Sequence, residues 1–228
     1  MGAAFLEKNM IFNGICSTMT SDALKLPDTG NVKVYMRHSI RYDNPPDGDY
    51  SNLMLTPEGI EIAQGIGRGL DRPIGYLYSS PVGRCRQTVT EICRGAGITE
   101  PDIKTVHEFA HLEGLGRAQS EFGIGWYDFY YGLQNNMPEL TAGTTLTEAA
   151  RPIVDMIFAV PESENSVDII CSHDSHVVTL ASALFDLKTG RHGENWCGYT
   201  EGLFFYGNRK DFTALWRGEE RHFVNWEI

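Results

Sequence analysis

The run NVKVYMRHS at residues 31–39 alternates apolar and polar positions and is rich in β-formers, which predicts a strand that delivers Arg37 and His38 at its end. RYDNPPDGDYSN, residues 41–52, is a turn-rich loop. In LTPEGIEIAQGIGRGL, Thr56 is a good N-cap, Pro57 suits the first helical position and Glu58 the first turn, so a helix follows. IGYLYSS reads as a second strand, PVGRCRQTVTEICRGAG as a helix closed by glycines, and DIKTVHEF as a third strand. Residues 110–145 break the rhythm with the aromatic, aperiodic WYDFYYGLQNNMPEL, which predicts an inserted lid or partner surface. LTEAARPIVDMIFAV returns to a helical period. SVDIICSH is an apolar strand ending in Ser172 and His173, and VVTLASALF is the helix behind it. EGLFFYGNRKDFTALWRG closes the chain as a hairpin around Gly-Asn-Arg-Lys.

Strand and helix alternate, so the predicted fold is α/β: a three-layer, doubly wound, mostly parallel sheet with an inserted lid region and a C-terminal β-hairpin. One domain over residues 31–228 follows an N-terminal extension, 1–30, which ends at the turn LPDTG. At 228 residues such a domain buries a sizeable core. The net charge of −11 argues against a nucleic-acid partner, which calls for a basic surface. No stretch is long and apolar enough for a membrane span or a signal peptide. Cys16, Cys85, Cys93, Cys171 and Cys197 form no C-x-x-C pair and fit small buried residues of a reducing compartment, so the expected location is cytoplasmic.

An acidic chain that binds an anion must gather its arginines locally. YMRHSIRYD does so, setting His38 between Arg37 and Arg41. Flanking guanidiniums disfavour the imidazolium and attract a phosphate, so a neutral His38 beside bound phosphate is a potential nucleophile. The other chemistry-bearing residues share its location. The second strand ends at Ser79–Ser80, just before Arg84, and the late strand ends at Ser172–His173. The C-terminal ends of parallel strands are where open α/β sheets bind ligands.

In order and spacing these residues resemble the histidine phosphatase superfamily, which also contains the cofactor-dependent phosphoglycerate mutases. The Arg-His-Gly hallmark stands here as Arg37-His38-Ser39, the S-x-x-x-R-x-x-Q-T stretch as SPVGRCRQT with Arg84, and the late Ser-His as CSHDSH. The similarity covers residues 31–187. Ser39 replaces a glycine, which implies either a side chain fitted close to the nucleophile or a hydroxyl added to the phosphate contacts. Arg41 and Asp174 match the acid-phosphatase branch, whereas Glu108 falls where the mutase-like branch keeps its proton donor.

The resemblance implies a metal-independent phosphomonoesterase without cofactor, acting on a small phosphorylated substrate through a phosphohistidine on His38. Arg37, Arg41, Arg84 and His173, with Ser39, would hold the phosphoryl group. Asp174, favoured by the match of Arg41, or Glu108 would protonate the leaving group. Each residue also has a plainer reading: Asp174 as the cap of a helix beginning at Ser175, Arg41 as a loop ion-pair residue, Arg86 as a surface residue, His176 as a residue one turn behind the site. The competing functions are phosphoryl transfer by a mutase, a non-catalytic phospholigand-binding protein, and a metal hydrolase with His38, His173, Asp174 and His176 as ligands. The arginines disfavour the last, because positive side chains around a divalent cation repel it.

Overall fold

The computed structural model describes residues 17–44 and 53–227. A seven-stranded sheet in the order β3-β2-β4-β1-β5-β6-β7 forms the middle layer. Its strands are β1 (Val32–Arg37), β2 (Ile74–Ser79), β3 (Ile103–Thr105), β4 (Val167–Ser172), β5 (Gly202–Asn208), β6 (Asp211–Trp216) and β7 (Glu219–Val224). The first four run parallel, and β5, β6 and β7 add an antiparallel meander. The fold is therefore α/β with a mostly parallel centre. The predicted closing hairpin is β5–β6, and β7 extends it.

Helices α1 (Ser17–Ala23), α2 (Pro57–Gly69), α3 (Gly83–Gly95), α4 (Leu115–Phe122), α5 (Trp126–Asn135), α6 (Pro138–Thr141), α7 (Leu146–Ala159) and α8 (Asp174–Phe185) complete the described chain. Strand alternation divides the core. Val34 and Met36 of β1 and Ile169 and Cys171 of β4 pack on the side of α2 and α3, with Val89 and Ile92. Tyr35 and Ile170 face the other way, into a cluster with Ile153 and Ile157 of α7 and Leu180 and Leu184 of α8. Helix α2 starts as expected: Thr56 Oγ1 accepts the Gly59 amide at 3.0 Å, with Pro57 at the first position. A capping box between Thr145 and Glu148 starts α7.

Two local expectations are corrected. DIKTVHEF is strand only at Ile103–Thr105; from His107 to Ala110 the chain is a 3₁₀ turn, folded back over the buried Phe109. The insertion is also more regular than its composition suggested. It holds α4, α5 and α6, and Leu115, Ala118, Phe129, Tyr130 and Leu133 join the core, so it forms a packed wall beside the sheet. The expected N-terminal extension lies partly outside the described residues. Within them, α1 docks on the far end of the chain, where Asp22 Oδ1 accepts the Gly218 amide at 2.7 Å. Among the described residues no helix is long and apolar enough to cross a membrane.

Candidate active site

Parallel pairing brings the three strand ends into register. Arg37 lies opposite Ser172 on β4, and Ser79 on β2 lies opposite Cys171. Beyond the strands the ladder continues by one bond on each side: the His38 amide donates to Ser172 and the Ser80 amide to Cys171. His38, Ser80 and His173 therefore stand together at one edge, and the first turn of α3 brings Arg84 over them.

The hydrogen bonds fix the protonation of His38. Nδ1–H donates to the Ser39 carbonyl at 2.8 Å, which leaves the lone pair on Nε2, and the Nε–H of Arg84 donates to it at 3.0 Å. Burial, reinforced by Arg84, Arg37 and His173, holds the imidazole well below the ordinary histidine value. His173 sits with its ring 5.8 Å from that of His38. Its Nδ1 faces Arg84 Nη2 at 3.4 Å, and its Nε2 is 2.9 Å from Ser80 Oγ. The sequence-predicted His38, Arg84 and His173 are thus brought together.

Arg37 is held from several sides. Nη1 donates to the Cys197 carbonyl at 2.7 Å, Nη2 pairs with Asp174 Oδ2 at 3.3 Å, and the guanidinium lies 4.0 Å from the centre of the Tyr199 ring. Its Nε is buried without a partner among the described residues. Asp174 also accepts the Trp196 indole N–H at 3.2 Å and, through Oδ1, the Ser175 amide at 2.9 Å. It starts α8 itself, one residue earlier than expected.

Other residues stand elsewhere. The hydroxyl of Ser39, expected among the phosphate contacts, donates to the Gly59 carbonyl at 2.8 Å, and the residue is fully buried. The reason is the close approach of α2: a Cβ at Gly59 would lie 2.1 Å from the Ile40 oxygen, so the helix seats directly on this turn and takes the hydroxyl. Arg41 donates to the Tyr42 carbonyl at 2.7 Å, on the exposed side of the turn. Part of the 42–52 loop lies outside the described residues. Arg86 is exposed. His176 is a buried strut, with Nδ1 2.6 Å from the Tyr35 hydroxyl and Nε2 2.9 Å from the His111 carbonyl, and burial pushes it down to about 3. With both nitrogens engaged it is unavailable to the metal-ligand set considered above. Among the described residues no group of three or more His, Cys, Asp or Glu side chains is placed to hold a metal ion.

Arg84, His173 and Asp174 open onto a cavity of about 1020 Å³, walled by the 107–119 segment and α7. Glu108 is exposed on that wall. Tyr199 and Trp196 were missed from sequence because the aperiodic loop between α8 and β5 carries no motif, and their position follows from the antiparallel return of β5.

Residues 40–200 match the family described as the histidine phosphatase superfamily (branch 1). The chain belongs to this superfamily. Arg37 and His38 lie just before the matched residues, at the end of β1. No curated protein matches the chain. Among solved structures it is similar to a phosphoserine phosphatase from Entamoeba histolytica in complex with 3-phosphoglyceric acid, with a TM-score of 0.51 and 13% identity over 77% of this chain and 90% of that one. It is similar also to mycobacterial hydrolase 2, with a TM-score of 0.50 and 14% identity over 86% and 90%. At these identities the likeness establishes the histidine phosphatase fold alone.

Proposed function

We propose that the protein hydrolyses phosphate monoesters through a phosphohistidine on His38. The observation that carries the reading is the Nε2 lone pair of a buried, neutral His38 facing the guanidinium of Arg84. When substrate binds, the phosphoryl oxygens take over Arg84, and Nε2 is released to attack phosphorus. The N–P bond forms as the P–O bond to the leaving group breaks. Arg84, His173 and the unpartnered Nε–H of Arg37 hold the phosphoryl oxygens, and fixed donors of this kind supply about 3 kcal/mol each to the transition state. Arg41 lies near enough for its charge to bear on Arg84, while its own hydrogen bond goes to the Tyr42 carbonyl.

Glu108 is the better candidate for the proton donor. Asp174 is occupied by Arg37, the Trp196 indole and the Ser175 amide, which suits a residue that orients Arg37. Glu108 lines the same cavity as Arg84 and His173 and makes no side-chain ion pair or hydrogen bond among the described residues. In this reading Glu108 gives its proton to the departing alkoxide, then takes one from the water that attacks phosphorus, which restores His38 and releases phosphate.

Residues 31–228 act as one domain, with the 110–145 insertion facing the leaving group. The free, buried Cys85, Cys93, Cys171 and Cys197 agree with a reducing, cytoplasmic setting. The test is phosphate release from an aryl phosphate in the presence of EDTA, for the natural chain and for His38→Ala. Turnover that survives EDTA and disappears in the variant supports the reading. Turnover abolished by EDTA, or retained without His38, sinks it.

A further inference from the structure

Glu108 owes its place to the backbone around it. Its side chain has no hydrogen-bonding partner among the described residues, so the 3₁₀ turn His107–Ala110 is what sets the carboxyl on the cavity wall. That turn is weakly closed: its bonds from the Phe109 amide to the Val106 carbonyl and from the His111 amide to the Glu108 carbonyl are 3.3 and 3.2 Å long. Two buried side chains hold it from outside. Ser172 Oγ, at the end of β4, donates to the Phe109 carbonyl at 2.8 Å, and His176 Nε2, in the first turn of α8, lies 2.9 Å from the His111 carbonyl. A carbonyl only accepts, so Nε2 carries the proton and Nδ1 keeps its lone pair. The Tyr35 hydroxyl, 2.6 Å from Nδ1, is therefore the donor there. Donation runs one way, from Tyr35 on β1 through His176 to the turn. The relay requires a neutral ring, and burial, which pushes His176 down to about 3, supplies one. Phe109 also packs edge-on against the Tyr35 ring at 5.5 Å.

We infer that Tyr35, His176 and Ser172 are positioning residues for the proton donor: they hold the 107–111 turn where Glu108 meets the leaving-group oxygen. The inference rests on the reading of Glu108 as that donor. A general acid works only within hydrogen-bond reach of the oxygen it protonates, and a misplacement of about 1 Å costs on the order of 10²-fold. All three residues are buried and committed to one another or to the turn, so they act on the reaction through Glu108. Tyr35 stands on the strand that leads into His38, and Ser172 adjoins His173. Nucleophile and donor therefore share one rigid base, which fixes the distance between them.

The test compares kcat/KM on glycerol 3-phosphate and on p-nitrophenyl phosphate for the full chain and its variants, with a melting curve beside each. An aryl oxide departs with little protonation, so the aryl-to-alkyl ratio isolates the work of the donor. His176→Leu should raise that ratio by about tenfold, and His176→Gln, whose amide N–H stands in for the ring Nε2–H, should restore most of it. Tyr35→Phe deletes one oxygen and keeps the ring against Phe109. It should raise the ratio by about threefold, and it carries the test if the leucine variant does not fold. In a Glu108→Gln background neither substitution should move the ratio further, because the group they position is gone. A lowered melting temperature with the ratio at its natural value, an equal fall on both esters, or a ratio change that persists in full without Glu108 overturns the inference. If Glu108→Gln by itself leaves the ratio where it was, the donor reading fails and the inference falls with it.

Discussion

Arg84 and His38 meet through one hydrogen bond, guanidinium Nε to imidazole Nε2 across 3.0 Å, with Nδ1 tied back to the Ser39 carbonyl. A lysine at position 84 keeps the charge and loses the planar fork that reaches His38 and His173 together. Arg84→Lys is therefore expected to lower kcat on an aryl phosphate by about 10²-fold, with little change in thermal stability. Steady-state kinetics beside a melting curve checks this, and an unimpaired variant would remove Arg84 from the phosphoryl contacts.

The two candidate proton donors separate by leaving group. An aryl oxide needs little protonation and an alkoxide needs a great deal. Glu108→Gln should thus cost about 10²-fold or more on an alkyl phosphate and much less on an aryl phosphate. Asp174→Asn, acting through Arg37, should depress both to a similar degree. The reverse pattern would return the donor role to Asp174.

Trp196 links the insertion to the phosphate end. Its ring packs edge-on against Tyr127 and Tyr130 at 5.2 and 5.0 Å, and its N–H reaches Asp174. Trp196→Phe keeps an aromatic ring and removes only the donor. Competitive inhibition by inorganic phosphate should weaken by about three- to tenfold, the worth of one ordinary hydrogen bond of about 1 kcal/mol. Unchanged inhibition would mean that Arg37 is positioned without Trp196.

The strands and the residues at their ends were legible because β1 and β4 alternate or run apolar without interruption, and parallel pairing puts Arg37-His38, Ser80 and Ser172-His173 at one edge. What sequence could not supply was direction. Ser39 reads as a phosphate contact until Gly59 brings a carbonyl within reach of its hydroxyl. Helix α5 was hidden because it buries Phe129 and Tyr130 while exposing Trp126 and Tyr127, so aromatic residues occupy both faces and blur the period. Strand β7, Glu-Glu-Arg-His-Phe-Val, is a largely exposed edge whose charges mask its pairing with β6.

The Ser39 hydroxyl gives a stability prediction. Ser39→Ala removes the donor to the Gly59 carbonyl inside a fully buried turn and should destabilise the fold by about 1 kcal/mol. A change in the chemical denaturation midpoint with KM unaffected is expected. A raised KM at unchanged stability would restore Ser39 to the phosphate contacts.

Acid should weaken the fold through two buried histidines. His38 and His176 are both held below the ordinary histidine value of about 6.5, His176 at about 3, each chiefly by burial. Between those values the unfolded chain binds protons that the folded chain refuses, so stability is present above pH 6.5 and is lost as pH falls towards 3. Each histidine adds a slope of about 1.4 kcal/mol per pH unit within its window. Urea midpoints across this range should fall steadily. For the same reason kcat/KM should show no acid limb at the ordinary histidine value from His38 itself.

The central claim is the covalent bond between phosphorus and His38. The direct measurement is an alkaline quench during turnover, followed by mass analysis of the peptides, because phosphohistidine survives base and is lost in acid. The account predicts one phosphoryl group on the peptide carrying His38, building up before steady state and absent from His38→Ala. Turnover with no labelled peptide, or with the label on another residue, would contradict it.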